Sequence, residues 1–128
     1  MELNKLCTVE AHEAGAACTI LDPSTRKPTD VIIRLRGMDS KAYRKMRRDA
    51  DARTLAIMAS GESVEFEKSE GYDIDALASL TLGWENIVID GEPFEFSEEN
   101  CRKLYADAPN VRDQVNRFVG NRANFTQG

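Results

Sequence analysis

The chain has 128 residues, with 17 Lys plus Arg against 22 Asp plus Glu, one His, three Cys and 41% hydrophobic residues, a balance that suits one folded domain, 1–128, able to bury a core without metal or disulfide staples. Its apolar runs, of which Ile87-Val88-Ile89 is typical, fall far short of the roughly 20 residues that span a bilayer, and Met1 to Lys5 lack the basic and apolar regions of a secretory signal. An intracellular protein with reduced thiols at Cys7, Cys18 and Cys101 follows, and the net charge of −5 argues against a general nucleic-acid binder.

Ala17 to Leu21 and Val31 to Arg36, separated by the turn-rich Asp22-Pro23-Ser24-Thr25-Arg26-Lys27-Pro28, predict two strands. The second alternates Ile33 and Leu35 with Arg34 and Arg36, as a half-buried strand should. Beyond Gly37, Asp39 or Ser40 can cap a helix that runs to about Ser60, with Gly61 as a left-handed stop. Tyr43, Met46, Ala50, Thr54 and Ile57 recur at spacings of three and four and predict its apolar stripe. After an acidic connector, Ile74, Leu77, Ala78 and Leu82 predict a second helix from near Asp73 to Gly83. Asp90-Gly91, between an Ile/Val run and Phe94-Glu95-Phe96, predicts a hairpin, and Pro93 confines its strand to an edge. Ser97 with Glu98 and Glu99 opens a third helix, with Cys101, Leu104, Tyr105 and Ala108 on its apolar side. Pro109 interrupts, and Asn110 caps a fourth helix carrying Val111, Val115, Phe118 and Val119. Residues 121–128 are polar apart from Phe125 and predict a flexible tail. Strands that come in antiparallel pairs, without parallel crossovers, make an α+β fold: an N-terminal β-hairpin, a second short hairpin and about four helices.

Charge is spread unevenly along this order. Arg34 to Arg53 hold eight basic residues against three acidic ones, whereas Glu62 to Asn100 hold twelve acidic residues and one basic, Lys68. Such polarity lets one copy attract another head to tail, in a manner that salt weakens. Arg44, Arg47 and Arg48 on one side, with Glu95, Glu98 and Glu99 on the other, are the candidate self-association residues of a homo-oligomer. The competing reading is two solvated faces.

Chemistry is harder to find. His12 is the one histidine, and Cys7-x4-His12-x5-Cys18 offers three loosely spaced donors where structural zinc takes four, usually paired two to four residues apart. No nucleophile elbow, phosphate-binding loop or dinucleotide fingerprint occurs, so the reading is of a non-catalytic protein without metal or cofactor. The basic helix, with Lys41, Arg44, Lys45, Arg47 and Arg48, could neutralise phosphates, but it has no aromatic or Gly-rich readout motif beside it.

Leu82-Gly83-Trp84-Glu85-Asn86-Ile87, then Asp90-Gly91, Pro93-Phe94, Ser97-Glu98-Glu99-Asn100, Leu104-Tyr105, Pro109 and Arg122-Ala123-Asn124-Phe125 resemble, in this order, the tail assembly chaperones of long-tailed (siphovirus-type) double-stranded DNA bacteriophages. The resemblance covers about the last 45 residues. It implies a protein of the host cytoplasm, absent from the mature virion, that keeps the tape measure protein soluble while tail tube subunits polymerise around it. It also implies a second, longer form, made by frameshifting, that recruits the tail tube protein. Under this reading Trp84, Tyr105, Phe118 and Phe125 are candidate exposed anchors for the partner, with Arg117 and Arg122 as charged neighbours; the competing reading is ordinary core packing for the aromatics and surface solvation for the arginines. The alternatives are a small nucleic-acid-associated regulator using residues 41–53, or a minor structural part of the tail.

Overall fold

The alternation over Ala17 to Leu21 and over Val31 to Leu35 becomes the inner face of a three-stranded antiparallel sheet in the computed structural model of the protein, which describes residues 1–63 and 66–126. Strands β1 (Ala16–Leu21) and β2 (Pro28–Leu35) pair with Cys18 opposite Ile33. Cys18, Ile20, Ile33 and Leu35 are buried while Thr19 and Arg34 face solvent, because successive side chains leave a strand on opposite faces.

The third strand is a departure from the sequence reading. The helix expected to run to Gly83 is α3 (Phe66–Leu80), and Thr81–Glu85 continues as β3, paired with β2 so that Trp84 faces Ile33. The free edge of β2 explains the difference, since the backbone groups beside buried Ile33 and Leu35 need partners. The Arg36 N–H takes the Leu80 carbonyl at 2.8 Å, which ends the helix where the ladder begins. Leu82, expected on the buried stripe, is partly exposed.

Against the inner face of the sheet pack Ile74, Leu77 and Leu80 of α3, Cys101 and Tyr105 of α4 (Glu98–Asp107), and Val115 and Val119 of α5 (Pro109–Val119). Ser97 caps α4 as expected, its hydroxyl accepting from the Asn100 N–H at 3.0 Å. Pro109 separates the two helices as expected, with Ala108 before it held out of the helical region and Pro109 itself in the first turn of α5, where a missing N–H costs nothing, but Asn110 is not the cap. The Asn110 side chain instead accepts from Gln114. Gln114 in turn bonds both backbone groups of Leu21, at 2.8 and 3.0 Å, which satisfies part of the outer edge of β1.

The second hairpin has β4 (Val88–Ile89) and β5 (Glu92–Pro93), with left-handed backbone at both Asp90 and Gly91 as a tight two-residue turn requires. Trp84 holds it to the body. Its indole N–H donates to the Phe94 carbonyl at 2.7 Å, its ring stacks on Phe94, and Phe96 meets it edge-on.

A 3-10 turn at Leu3–Leu6 and two short helices lie at the two ends of the described chain. Helix α1 (Val9–Ala14) precedes the sheet, and α6 (Ala123–Thr126) closes the chain. The segment expected as a flexible tail over 121–128 is docked at least through Thr126, because its one large apolar residue, Phe125, is buried against α1; Gln127 and Gly128 lie outside the described residues.

A candidate interaction surface on the long helix

Helix α2 (Lys41–Ser60) is the longest element, and none of its 20 residues is buried. At about 1.5 Å per residue it is roughly 30 Å long. Ser40 caps it, its hydroxyl accepting from the Tyr43 N–H at 3.2 Å, and Gly61 ends it at φ 72°. Tyr43, Met46, Ala50 and Ile57 are partly covered, as their spacing predicts, but Thr54 is exposed and Arg53 takes its place. The Arg53 guanidinium lies 4.1 Å from the centre of the Tyr72 ring on α3, a cation–π contact that secures the middle of the helix. Past that point the helix carries apolar residues into solvent: Leu55 is 67% exposed and Met58 74%. At a spacing of three they share one face, and exposed Ala52 and Ala59 extend it.

The first half of α2 has a different character. Met38 and Tyr43 line a groove of about 830 Å³ together with Lys41, Arg44, Lys45, Arg47, Arg48 and Arg122, and Asp39 supplies its one carboxylate. That carboxylate is occupied: Arg122 donates to both of its oxygens at 3.0 to 3.2 Å, and Thr8 donates to one of them. The Arg122 hydrogen bonds, and then that of Thr8, hold the Asp39 carboxyl below its ordinary range. Lys45 is paired with Asp49 and Arg47 with Asp51 along the helix, whereas Arg44 and Arg48 have no carboxylate partner among the described residues.

Behind the groove lies His12, with no exposed surface. Its Nδ1 accepts from the Asp39 N–H at 3.0 Å, its ring stacks on Phe125 at 4.7 Å, and its Nε2 has no hydrogen-bond partner. Burial pushes its pKa below 6.5, with the nearby Asp39 carboxylate opposing that shift. Gly37 is required by close approach, since a Cβ there would lie 2.1 Å from His12 Nδ1. His12, Asp39, Arg122 and Phe125 thus form a latch between the two ends of the chain. The histidine is committed to that latch, Cys18 is in the core with its thiol pushed up to about 11 by burial, and Cys7 is exposed. Among the described residues no group of three His, Cys, Asp or Glu side chains is placed to hold a metal ion.

The anchors expected from sequence fare differently from one another. Tyr105 is fully buried, its hydroxyl 2.7 Å from that of Thr81, and Phe125 is buried under the latch, so neither is available to a partner. Trp84 is half-buried as the pillar of the hairpin, and Phe118 is half-buried and edge-on to Phe125. Arg117 and Arg122 are exposed, the latter on Asp39. Arg44, Arg47 and Arg48 do come together, in the groove. Glu95, Glu98 and Glu99 are all exposed, with Glu98 engaged by Arg102. Leu55 and Met58 lie off the stripe predicted for this helix, and two large apolar residues beside a stripe rather than on it are the sequence signal that points to them.

A family model described as YdaY prophage protein matches residues 38–128, from the groove through α2 to the end of the chain. No curated protein and no solved structure matches the chain.

Proposed function

This chain belongs to the YdaY prophage protein family, and we propose that it is a non-catalytic tail assembly chaperone, which keeps a tape measure protein soluble while tail tube subunits polymerise around it. The observation that carries the proposal is α2: a capped helix of 20 residues that buries none of them and displays Leu55 and Met58 on its outer half. A holdase for an elongated helical partner needs an apolar strip that such a partner can lie along, flanked by charge that keeps both soluble. The long helix offers both. The C-terminal sequence pattern, Leu82 to Asn86 through to Phe125, supports the same reading by resemblance. In this assignment the contact is made by α2 rather than by Tyr105 and Phe125, which the fold itself uses.

The test is co-expression with a phage tape measure protein. The partner should become soluble and copurify with this chain, and the pair Leu55→Asp and Met58→Asp should abolish both effects. A tape measure protein that stays insoluble and unbound beside folded chain refutes the proposal.

The groove favours a second reading, a nucleic-acid-associated regulator, because six basic side chains line it. Ion pairing of Arg122, Lys45 and Arg47 with neighbouring aspartates leaves less free positive charge than that number suggests. Duplex DNA titrated at two salt concentrations separates the readings, since phosphate binding falls steeply with salt. Recovery of the chain in purified particles would instead mark it as a minor structural part of the tail.

A further inference from the structure

The acidic part of α3 lies beside α2, but the acidic β4–β5 hairpin and the basic groove leave the sheet at opposite ends. Leu35 of β2 is paired with Thr81, and the groove residues Met38, Asp39 and Lys41 follow directly from that end. At the other end Ile32 is paired with Glu85, and from there the chain leaves into the β4–β5 hairpin, tied down by the Asn86 side chain donating to the Asp30 carbonyl. Thr81 and Glu85 are about 13 Å apart along the strand at roughly 3.3 Å per residue, and no hairpin residue is among those lining the groove.

The hairpin and the groove are also complementary in kind. The hairpin exposes Val88 at 58% and Ile89 at 45%, with the exposed acidic residues Asp90, Glu92 and Glu95 around them. The groove offers Met38 and Tyr43, ringed by cations of which Arg44 and Arg48 have no carboxylate partner among the described residues. An apolar tip carrying negative charge faces an apolar floor carrying positive charge.

We propose that the β4–β5 hairpin of one copy docks in the α2 groove of the next, giving a head-to-tail assembly. This contact is heterologous, so it builds rings or open chains rather than a closed two-fold dimer. It uses the basic half of α2 and leaves Leu55 and Met58 free, so an assembled array displays many copies of the apolar strip side by side. Of the acidic candidates Glu95, Glu98 and Glu99 it uses Glu95, while Glu98 is held by Arg102, and it adds Glu92 of the hairpin.

Sedimentation velocity of the full chain, with no other protein present, tests the idea. At about 0.1 M salt the wild type should sediment as species larger than a monomer, in a concentration-dependent way, and at about 1 M, where the screening length falls from about 10 Å to about 3 Å, it should revert to monomer. Glu92→Lys with Glu95→Lys should be monomeric at both salts, as should Arg44→Glu with Arg48→Glu, each keeping the wild-type circular dichroism. Mixing the two variants should restore association, because the unaltered acidic hairpin of the second meets the unaltered groove of the first. A wild type that is monomeric at low salt overturns the proposal, and so does a Glu92→Lys, Glu95→Lys chain that assembles like the wild type. If the groove takes duplex DNA instead, DNA will shift in a gel while hairpin charge reversal leaves the sedimentation of the protein unchanged, which also overturns it. Since no tape measure protein is present, this experiment can fail while the chaperone assignment stands, and the reverse.

Discussion

Replacing Phe125 with Ala should detach the end of the chain and release His12. Burying a phenyl group is worth about 1.5–3 kcal/mol, and Phe125 adds two ring contacts, to His12 at 4.7 Å and to Phe118 at 5.5 Å, of about 0.5–1.5 kcal/mol each. Helix α6 is only four residues long and ends the described chain, so it can lift away rather than leave a sealed cavity, and the loss should be about 2–3 kcal/mol, at the lower end for a buried aromatic. Urea denaturation gives that quantity. His12 gives an independent reading, because it is the one histidine in the chain and its imidazole protons are assigned without ambiguity in an NMR titration. In the wild type it should titrate below 6.5, since burial is the largest cause acting on it. In Phe125→Ala it should move upward, toward or past 6.5, as water reaches the ring and the Asp39 carboxylate remains beside it. The sign for stability follows. Below pH 6.5 the unfolded chain takes up a proton that the folded His12 resists, so wild-type stability should fall with falling pH through this window, by up to about 1.4 kcal/mol per pH unit. Asp39 acts in a lower window: its folded carboxyl titrates below 3.8, so its contribution is present above 3.8 and is lost as pH falls through the folded value. A wild-type His12 that titrates at or above 6.5, or a Phe125→Ala chain that loses less than about 1 kcal/mol, would refute the latch.

Three further outcomes follow from the same contacts. Gly37→Ala should cost about 1–3 kcal/mol by overpacking, because its Cβ would lie 2.1 Å from His12 Nδ1; thermal melting reads the loss, and the single-histidine titration should shift with it. Tyr105→Phe should cost only about 0.5–1.5 kcal/mol by denaturant titration, because the Thr81 hydroxyl that loses the phenol still donates to the Leu77 carbonyl at 2.8 Å. Leu55→Asp with Met58→Asp should leave the melting temperature within a degree or two of wild type, given residues 67% and 74% exposed, and a large drop would mean that α2 packs on its own domain.

Much of this fold is legible in the residues because local chemistry agrees with the final structure. Ser40, Gly61, Ser97 and Asp90-Gly91 each place a helix end or a turn where the backbone puts one, and the alternation in β1 and β2 gives the buried face. The misreadings occur where a distant segment decides. Thr81 to Gly83 reads as the end of a helix until the unpaired edge of β2 is considered, and that edge is some fifty residues away in sequence. Phe125 reads as an exposed anchor in a polar tail, since nothing near it in sequence shows that α1 presents a buried imidazole for it to cover.

The candidate site is divided in the same way. Arg44, Arg47 and Arg48 can be grouped from helical spacing alone, and the groove keeps them together. Leu55 and Met58 fall outside the stripe that spacing predicts, so α2 carries two apolar faces: Tyr43, Met46, Ala50 and Ile57, partly covered, and Leu55 and Met58, exposed. A helix that packs by one face has no internal reason to keep the second apolar. Burial of that second face within the chain would need another layer, and among the described residues the helix has α3 as its main neighbour. On the proposed function, it is the chaperone's partner that covers this face. From Ala52 to Ala59 the exposed apolar face spans about 10 Å at about 1.5 Å per residue, two turns that an apolar helical segment of the proposed partner can lie along.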